Sequence, residues 1–248
     1  MLVRAGLVLL VIAVAGGSVW LYKAATEPEQ SPIEVPAASV PVANVRPGAV
    51  APPQPQAGAV GEDPLRTWVG RVSSGIDIPA RALMAYGNAE LVLRTEQPGC
   101  HLSWATLAGI GRVESNHGRY GGATLNDDGR PSKPIIGVPL DGSEGVKAIS
   151  DTDNGRYDGD ARHDRAVGPM QFIPSTWKRW TADANLDGVG DPQQIDDAAL
   201  AAGRYLCVGG RDLATPEDWW AAVFSYNNSV PYGQKVFGLA DNYAQAAV

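Results

Sequence analysis

Cysteine and histidine are scarce in this 248-residue chain, which holds two of the first (Cys100, Cys207) and three of the second (His101, His117, His163). None of them falls into a CxxC, an HExxH or a histidine cluster, so zinc-hydrolase chemistry lacks its ligands. No GxxxxGK[ST] or GxGxxG loop is present, which leaves nucleotide chemistry without a phosphate cradle. Basic charge is short as well, with 20 Lys+Arg against 27 Asp+Glu and a net charge of −7. A nucleic-acid binder needs a basic face to displace counterions, so no nucleic-acid partner is expected. The acidic excess is local: residues 183–197 (DANLDGVGDPQQIDD) carry five Asp and no Lys or Arg. Alternating β-branched runs are missing too, which argues against a sheet-built fold. Apolar residues, at 44%, are plentiful enough for a real core.

Three stretches differ in composition. Residues 1–23 contain eighteen uncharged residues, Ala5 to Tyr22, between Arg4 and Lys23. As a helix they span about 27 Å, near the ~30 Å hydrocarbon core of a bilayer. An uncleaved membrane anchor is expected, and a cleaved signal peptide with an Ala13-Val14-Ala15 site is the alternative. Either way the rest of the chain is expected on the cell-envelope side of the cytoplasmic membrane. Residues 24–63 are read as a disordered linker, since eight of the 19 prolines lie between Pro28 and Pro55 and no apolar periodicity emerges. Residues 64–248 are read as one helical domain. In an exported domain Cys100 and Cys207 are expected to pair, closing a loop of 107 residues that is worth roughly 4–5 kcal/mol on the chain-entropy model.

Helix starts are marked by a capping residue before proline at Asp63-Pro64, Asp191-Pro192 and Thr215-Pro216. Apolar residues follow at helical spacing, as in Leu65, Trp68, Val69, Val72 and in Trp219, Ala222, Val223, Tyr226. Ser103 is placed to cap a further helix running to Gly118. Residues 119–165, rich in Gly and Asp with little periodicity, form a loop long enough to suggest a functional role.

Glu114 stands near the predicted end of the Ser103-capped helix. The negative end of the macrodipole and partial burial both raise a carboxyl's pKa, as a general acid at neutral pH requires. A surface glutamate of ordinary pKa is the competing reading of this segment alone. Two later segments add to it: Gly168-Pro169-Met170-Gln171-Phe172, where a polar Gln sits among apolar residues, and Phe224-Ser225-Tyr226-Asn227 at a helix end.

In the order Glu114-Ser115, Gly168-x-Met170-Gln171, Tyr226-Asn227, these motifs resemble the lytic transglycosylases of the goose-lysozyme-like superfamily. Within it they are most like the membrane-bound lytic murein transglycosylase B branch in its exported Gram-positive form, and the resemblance covers roughly residues 77–240. It implies an all-α, lysozyme-like domain with a long irregular active-site loop, acting on peptidoglycan. It implies that Glu114 is the catalytic acid/base, that Gln171 lines the cleft near an N-acetyl sugar, and that Tyr226 and Asn227 flank the acid and hold substrate. Ser115, the residue after the acid, is implied to serve structure more than catalysis. The product implied is a 1,6-anhydro-N-acetylmuramic acid end, formed without water and without a catalytic cofactor.

A hydrolase would need a second carboxylate, and Asp158, Asp160 and Asp164 are the candidates. A muramidase on the same fold is therefore the first alternative, and a non-catalytic peptidoglycan-binding scaffold the second. The acidic stretch reads as a structural calcium loop. Asp183, Asn185 and Asp187 hold positions 1, 3 and 5 of an EF-hand-like loop, Gly188 position 6 and Val189 the backbone-carbonyl position. Position 12 is Gln194, which lacks a carboxylate. The resemblance implies that the closing acid comes later, and Asp197 fits. A solvated Asp/Gly turn is the alternative.

Overall fold

The computed structural model describes residues 63–143 and 145–247. The predicted anchor and all of the predicted linker except Asp63 lie outside the described residues. Seven α-helices follow in order among them: α1 Pro64–Ser73, α2 Ala80–Glu96, α3 Trp104–Ser115, α4 Pro174–Trp180, α5 Ile195–Leu206, α6 Pro216–Tyr226 and α7 Val230–Ala246. None is long and apolar enough to cross a membrane.

Two predicted helix starts stand where expected. Asp63 accepts from the Leu65 amide at 2.9 Å with Pro64 in the first turn of α1, and Thr215 accepts from the Asp218 amide ahead of Pro216 in α6. The third start is corrected. α5 begins at Ile195, because the Gln194 side chain, not Asp191, accepts from the Asp196 and Asp197 amides. Asp191 is occupied elsewhere, accepting from the Gln193 amide and pairing with Arg130. α3 is capped by Ser103 as expected but stops at Ser115, three residues before Gly118. Asn116, His117 and Gly118 all take positive φ, which no α-helix can continue through.

The core is built around α3, buried on every side from Trp104 to Gly111. α7 packs along it, and α2 packs along α5. Gly109 makes the α3–α7 approach close: a Cβ there would meet the Val236 carbonyl at 2.8 Å and Ala240 at 3.3 Å. Trp68 of α1 meets Trp104 edge-on at 5.4 Å. The expected Cys100–Cys207 disulfide is present, with Cα atoms 5.5 Å apart, and ties the α2–α3 connection to the end of α5.

The fold is mostly helical but departs from the all-α expectation within residues 119–165. There β1 (Ile136–Pro139) pairs antiparallel with β2 (Arg165–Val167), and isolated bridges join Asp141 to Ala148 and Ser150 to His163. These pairings are too short to produce a period-2 pattern. They give the long segment a hydrogen-bonded framework, which leads from β2 straight into the Gly168–Gln171 motif.

Candidate active site

Glu114 lies on the last turn of α3, half-buried. Its Oε1 accepts a hydrogen bond from the Tyr232 hydroxyl at 2.6 Å. Burial pushes its pKa from the ordinary 4.5 up to about 7, against the opposing effect of that hydroxyl, which favours the ionised form. Among the described residues no acidic side chain is among the groups that shift it. Tyr232 is on the first turn of α7, whose start is fixed by Ser229 as the N-cap. None of the sequence motifs singles out Tyr232. Its signal was a Ser-x-Pro helix start just after Tyr226-Asn227, but only the crossing of α7 over α3 brings the hydroxyl to Glu114.

The second motif folds back on itself. Val167 and Phe172 exchange backbone hydrogen bonds at 2.8 and 2.9 Å, so residues 168–171 form a tight tip. Two hydrogen bonds dock this tip against the acid. Ser115, 1% exposed, donates to the Pro169 carbonyl at 2.6 Å and accepts from the Gly118 amide at 2.8 Å. Tyr226 donates to the Met170 carbonyl at 2.7 Å. Gln171 is held at φ 49, a strained left-handed conformation for a non-glycine residue, and its amide donates to the Gly168 carbonyl at 3.0 Å. A Cβ added at Gly137 of β1 would stand 3.0 Å from the Gln171 side-chain oxygen, so the bare glycine leaves this amide room.

Tyr226 is close enough to Glu114 that the carboxylate charge helps hold its hydroxyl in the neutral form, burial being the larger cause. It also belongs to an aromatic row. Phe172 meets it at 6.1 Å and Tyr205 at 5.6 Å, with Trp180 5.9 Å beyond Tyr205, all edge-to-face. Asn227 ends α6 in extended backbone with its side chain at the surface. The structure thus brings Glu114, Ser115, Tyr226 and the 168–171 tip together, with Asn227 at the rim.

The three candidates for a second carboxylate are all engaged in holding the loop. Asp158 accepts from the Asp160 and Arg165 amides. Asp160 binds the Arg165 guanidinium and the Arg162 and His163 amides, which hold its pKa at about 2. Asp164 accepts from both the amide and hydroxyl of Thr152 at 2.8 Å. Beneath the site, His117 is fully buried between the Tyr86 and Tyr243 hydroxyls, at 3.1 and 3.3 Å. Burial, aided by Arg119 and Arg112, lowers its pKa to about 3, so this histidine is neutral and structural.

The acidic stretch 183–197 forms a closed turn. Asp183 accepts from the Asp187 and Gly188 amides at 3.1 and 2.9 Å, with Gly188 at φ 88 as a position-6 glycine requires. Asp197, fully buried, accepts from the Ala184 amide at 2.7 Å and the Asp191 amide at 3.0 Å. Burial raises its pKa, and the Asp183 charge adds to the rise, so the two carboxylates sense one another across the loop. Asn185 donates to Asp187 at 2.9 Å, and Val189 is exposed. Gln194 is turned away into its capping role. By donor type Asp183, Asn185, Asp187, Asp197 and the Val189 carbonyl suit a calcium ion, although among the described residues the carboxylate oxygens gathered within 4.8 Å of one another are those of Asp151, Asp153 and Asp164 and not those of this turn.

No family model and no curated protein matches the sequence. Two solved structures are similar to it, both of the Escherichia coli lytic transglycosylase Slt35, one in complex with bulgecin A and one in complex with calcium. Each is 15% identical and covers 73% of this chain and 79% of its own, with TM-scores of 0.43 and 0.42.

Proposed function

We propose that this chain is a peptidoglycan lytic transglycosylase that cleaves the β-1,4 bond between N-acetylmuramic acid and N-acetylglucosamine. One observation carries the reading: a lone carboxyl, Glu114, with a pKa raised to about 7, a single hydroxyl partner and no acidic side chain acting on it. Such a group is about half protonated at neutral pH, and its protonated half is able to donate. Glu114 gives its proton to the glycosidic oxygen as the bond to the muramic acid C1 breaks. The resulting carboxylate takes the proton of the same sugar's 6-hydroxyl, whose oxygen bonds to C1 and closes the 1,6-anhydro ring. Atoms balance without water. Tyr232 stabilises the carboxylate between the two steps, and the Gln171 amide and the aromatic row at Tyr226 offer hydrogen bonds and ring faces to the sugars. Asn227 and Ser115 serve at the rim and in the support of the tip.

The enzyme works outside the cytoplasmic membrane, with residues 1–23 as anchor, 24–63 as linker and 64–248 as catalytic domain. The Cys100–Cys207 disulfide supports an oxidising compartment. Calcium in the 183–197 loop is structural, since its ligands belong to a turn and not to the Glu114 site. The test is Glu114→Gln assayed on purified sacculi. Turnover falls at least ~10²-fold while sacculus binding persists, because the amide keeps the shape but has no acidic proton. Turnover near that of the wild type would remove Glu114 from the mechanism.

A further inference from the structure

Beside the aromatic row that leads away from Glu114 stands a cation that the proton transfers leave unused. Phe172, at the inner end of the row, is buried, whereas Tyr226, Tyr205 and Trp180 are each partly exposed. Arg211, in the connection between α5 and α6, is partly buried next to them. Its Nη1 donates to the Ser225 hydroxyl at 3.2 Å and to the Leu206 carbonyl at 3.3 Å. Ser225 directly precedes Tyr226, and its carbonyl accepts from the Tyr205 hydroxyl at 2.6 Å. Arg211 is thus tied to the same residue that Tyr205 holds, where the row passes from α5 to α6.

Both acceptors of Arg211 are neutral. Among the described residues no carboxylate pairs with it, in a chain where 27 Asp+Glu outnumber 20 Lys+Arg. Asp212, next in the chain, pairs instead with His101 at 2.7 Å, and Asp218 accepts from the Asp212 amide at 2.8 Å. The bonds to Ser225 and Leu206 use Nη1 alone, so the Nε and Nη2 donors of the planar fork stay available to a carboxylate. A guanidinium held in place by neutral acceptors keeps its charge for a ligand and has less rotamer freedom left to lose when one binds.

We infer that Arg211 is a specificity-determining residue of the cleft, binding a carboxylate carried on the 3-O-lactyl group of an N-acetylmuramic acid residue that lies along the aromatic row. The inference rests on the glycan substrate proposed above, and not on the step Glu114 performs once the glycan is bound. The carboxylate is either the lactyl group's own, free in a peptide-free glycan, or one on the peptide attached there. A glycan of N-acetylglucosamine alone has neither, so the aromatic rings hold its sugars while Arg211 adds nothing. Arg211 therefore separates muramic acid-containing strands from chitin-like ones.

Titration calorimetry tests it on the full chain carrying Glu114→Gln, which leaves the probes uncut. The probes are tetra-N-acetylchitotetraose, the peptide-free tetrasaccharide of alternating N-acetylglucosamine and N-acetylmuramic acid, and the same tetrasaccharide with its peptides. A muramic acid-containing probe is expected to bind at least ~10-fold more tightly than chitotetraose, the size of one hydrogen bond to a charged group. Adding Arg211→Gln is expected to abolish that preference while chitotetraose affinity stays within about 2-fold. Preference for the peptide-free probe assigns the lactyl carboxylate, and preference for the peptide-bearing probe alone assigns a carboxylate of the peptide. No preference before the Arg211 change, or an undiminished one after it, would overturn the inference. So would an equal loss for all three probes, which would make Arg211 only a support of Ser225. Binding of none of the probes ahead of the Arg211 change would reject the glycan substrate itself, and this inference with it.

Discussion

Replacing Glu114 by Gln has a consequence for stability that is separate from activity and is set by the same burial. The folded-state pKa of about 7 lies above the ordinary 4.5, so the folded chain binds this proton more tightly than the unfolded one. The associated stability is fully present below about pH 4.5 and is lost as pH rises through about 7. The distance between the two values corresponds to about 3 kcal/mol, and solvent at the half-exposed carboxyl reduces that to about 2 kcal/mol. Glutamine does not titrate. The difference in unfolding free energy between Glu114→Gln and the wild type should therefore move by about 2 kcal/mol in favour of the variant between pH 4.5 and pH 8. Other titrating groups, Asp197 among them, act equally in both proteins and cancel. Urea unfolding followed by tryptophan fluorescence at a series of pH values measures this difference directly. Parallel pH dependences for the two proteins would refute a buried, raised-pKa carboxyl at position 114.

Two further outcomes follow from the same contacts. Tyr232→Phe removes the hydroxyl that favours the ionised carboxyl, so the basic limb of the pH–rate profile should move upward by about one pH unit and kcat should fall; a limb at unchanged pH would contradict the role given to Tyr232. Calcium at a hundredfold excess over Kd should stabilise by about 2.7 kcal/mol per site, and Asp183→Ala with Asp187→Ala should remove the share of the 183–197 loop, seen as a smaller rise in Tm, whereas an unchanged rise would leave that loop a capped turn.

The parts of the fold that could be read from the chain are those governed by local chemistry. Asp63 and Thr215 cap the helices they were expected to cap because each precedes a proline and a clean apolar stripe. Asp191 is a false start for the same kind of reason: Asp-Pro at 191–192 is as good a start locally as the other two, and only the pairing of Asp191 with Arg130, 61 residues away, shows why it is not used. α2 has no amphipathic signature to find, since residues on all its sides are buried, from Ala82 round to Glu90. Glu114 and the 168–171 tip were legible as motifs. Tyr232 was not, because its meaning lies in a helix crossing that depends on the bare Cα of Gly109. Asp158, Asp160 and Asp164 look alike in sequence, and only the fold separates the arginine partner Asp160 from Asp158 and Asp164, which hold loop amides.

The central claim is that Glu114 works alone, and digestion of sacculi in ¹⁸O-labelled water followed by mass spectrometry tests it most directly. On the proposed mechanism no second carboxylate activates water, and the sugar's own 6-hydroxyl attacks instead, favoured by an effective molarity of up to ~10⁵ M or more when well aligned. The account predicts muramic acid ends lighter by one water than reducing ends and free of label. Labelled reducing ends as the dominant product would contradict it and make the chain a hydrolase.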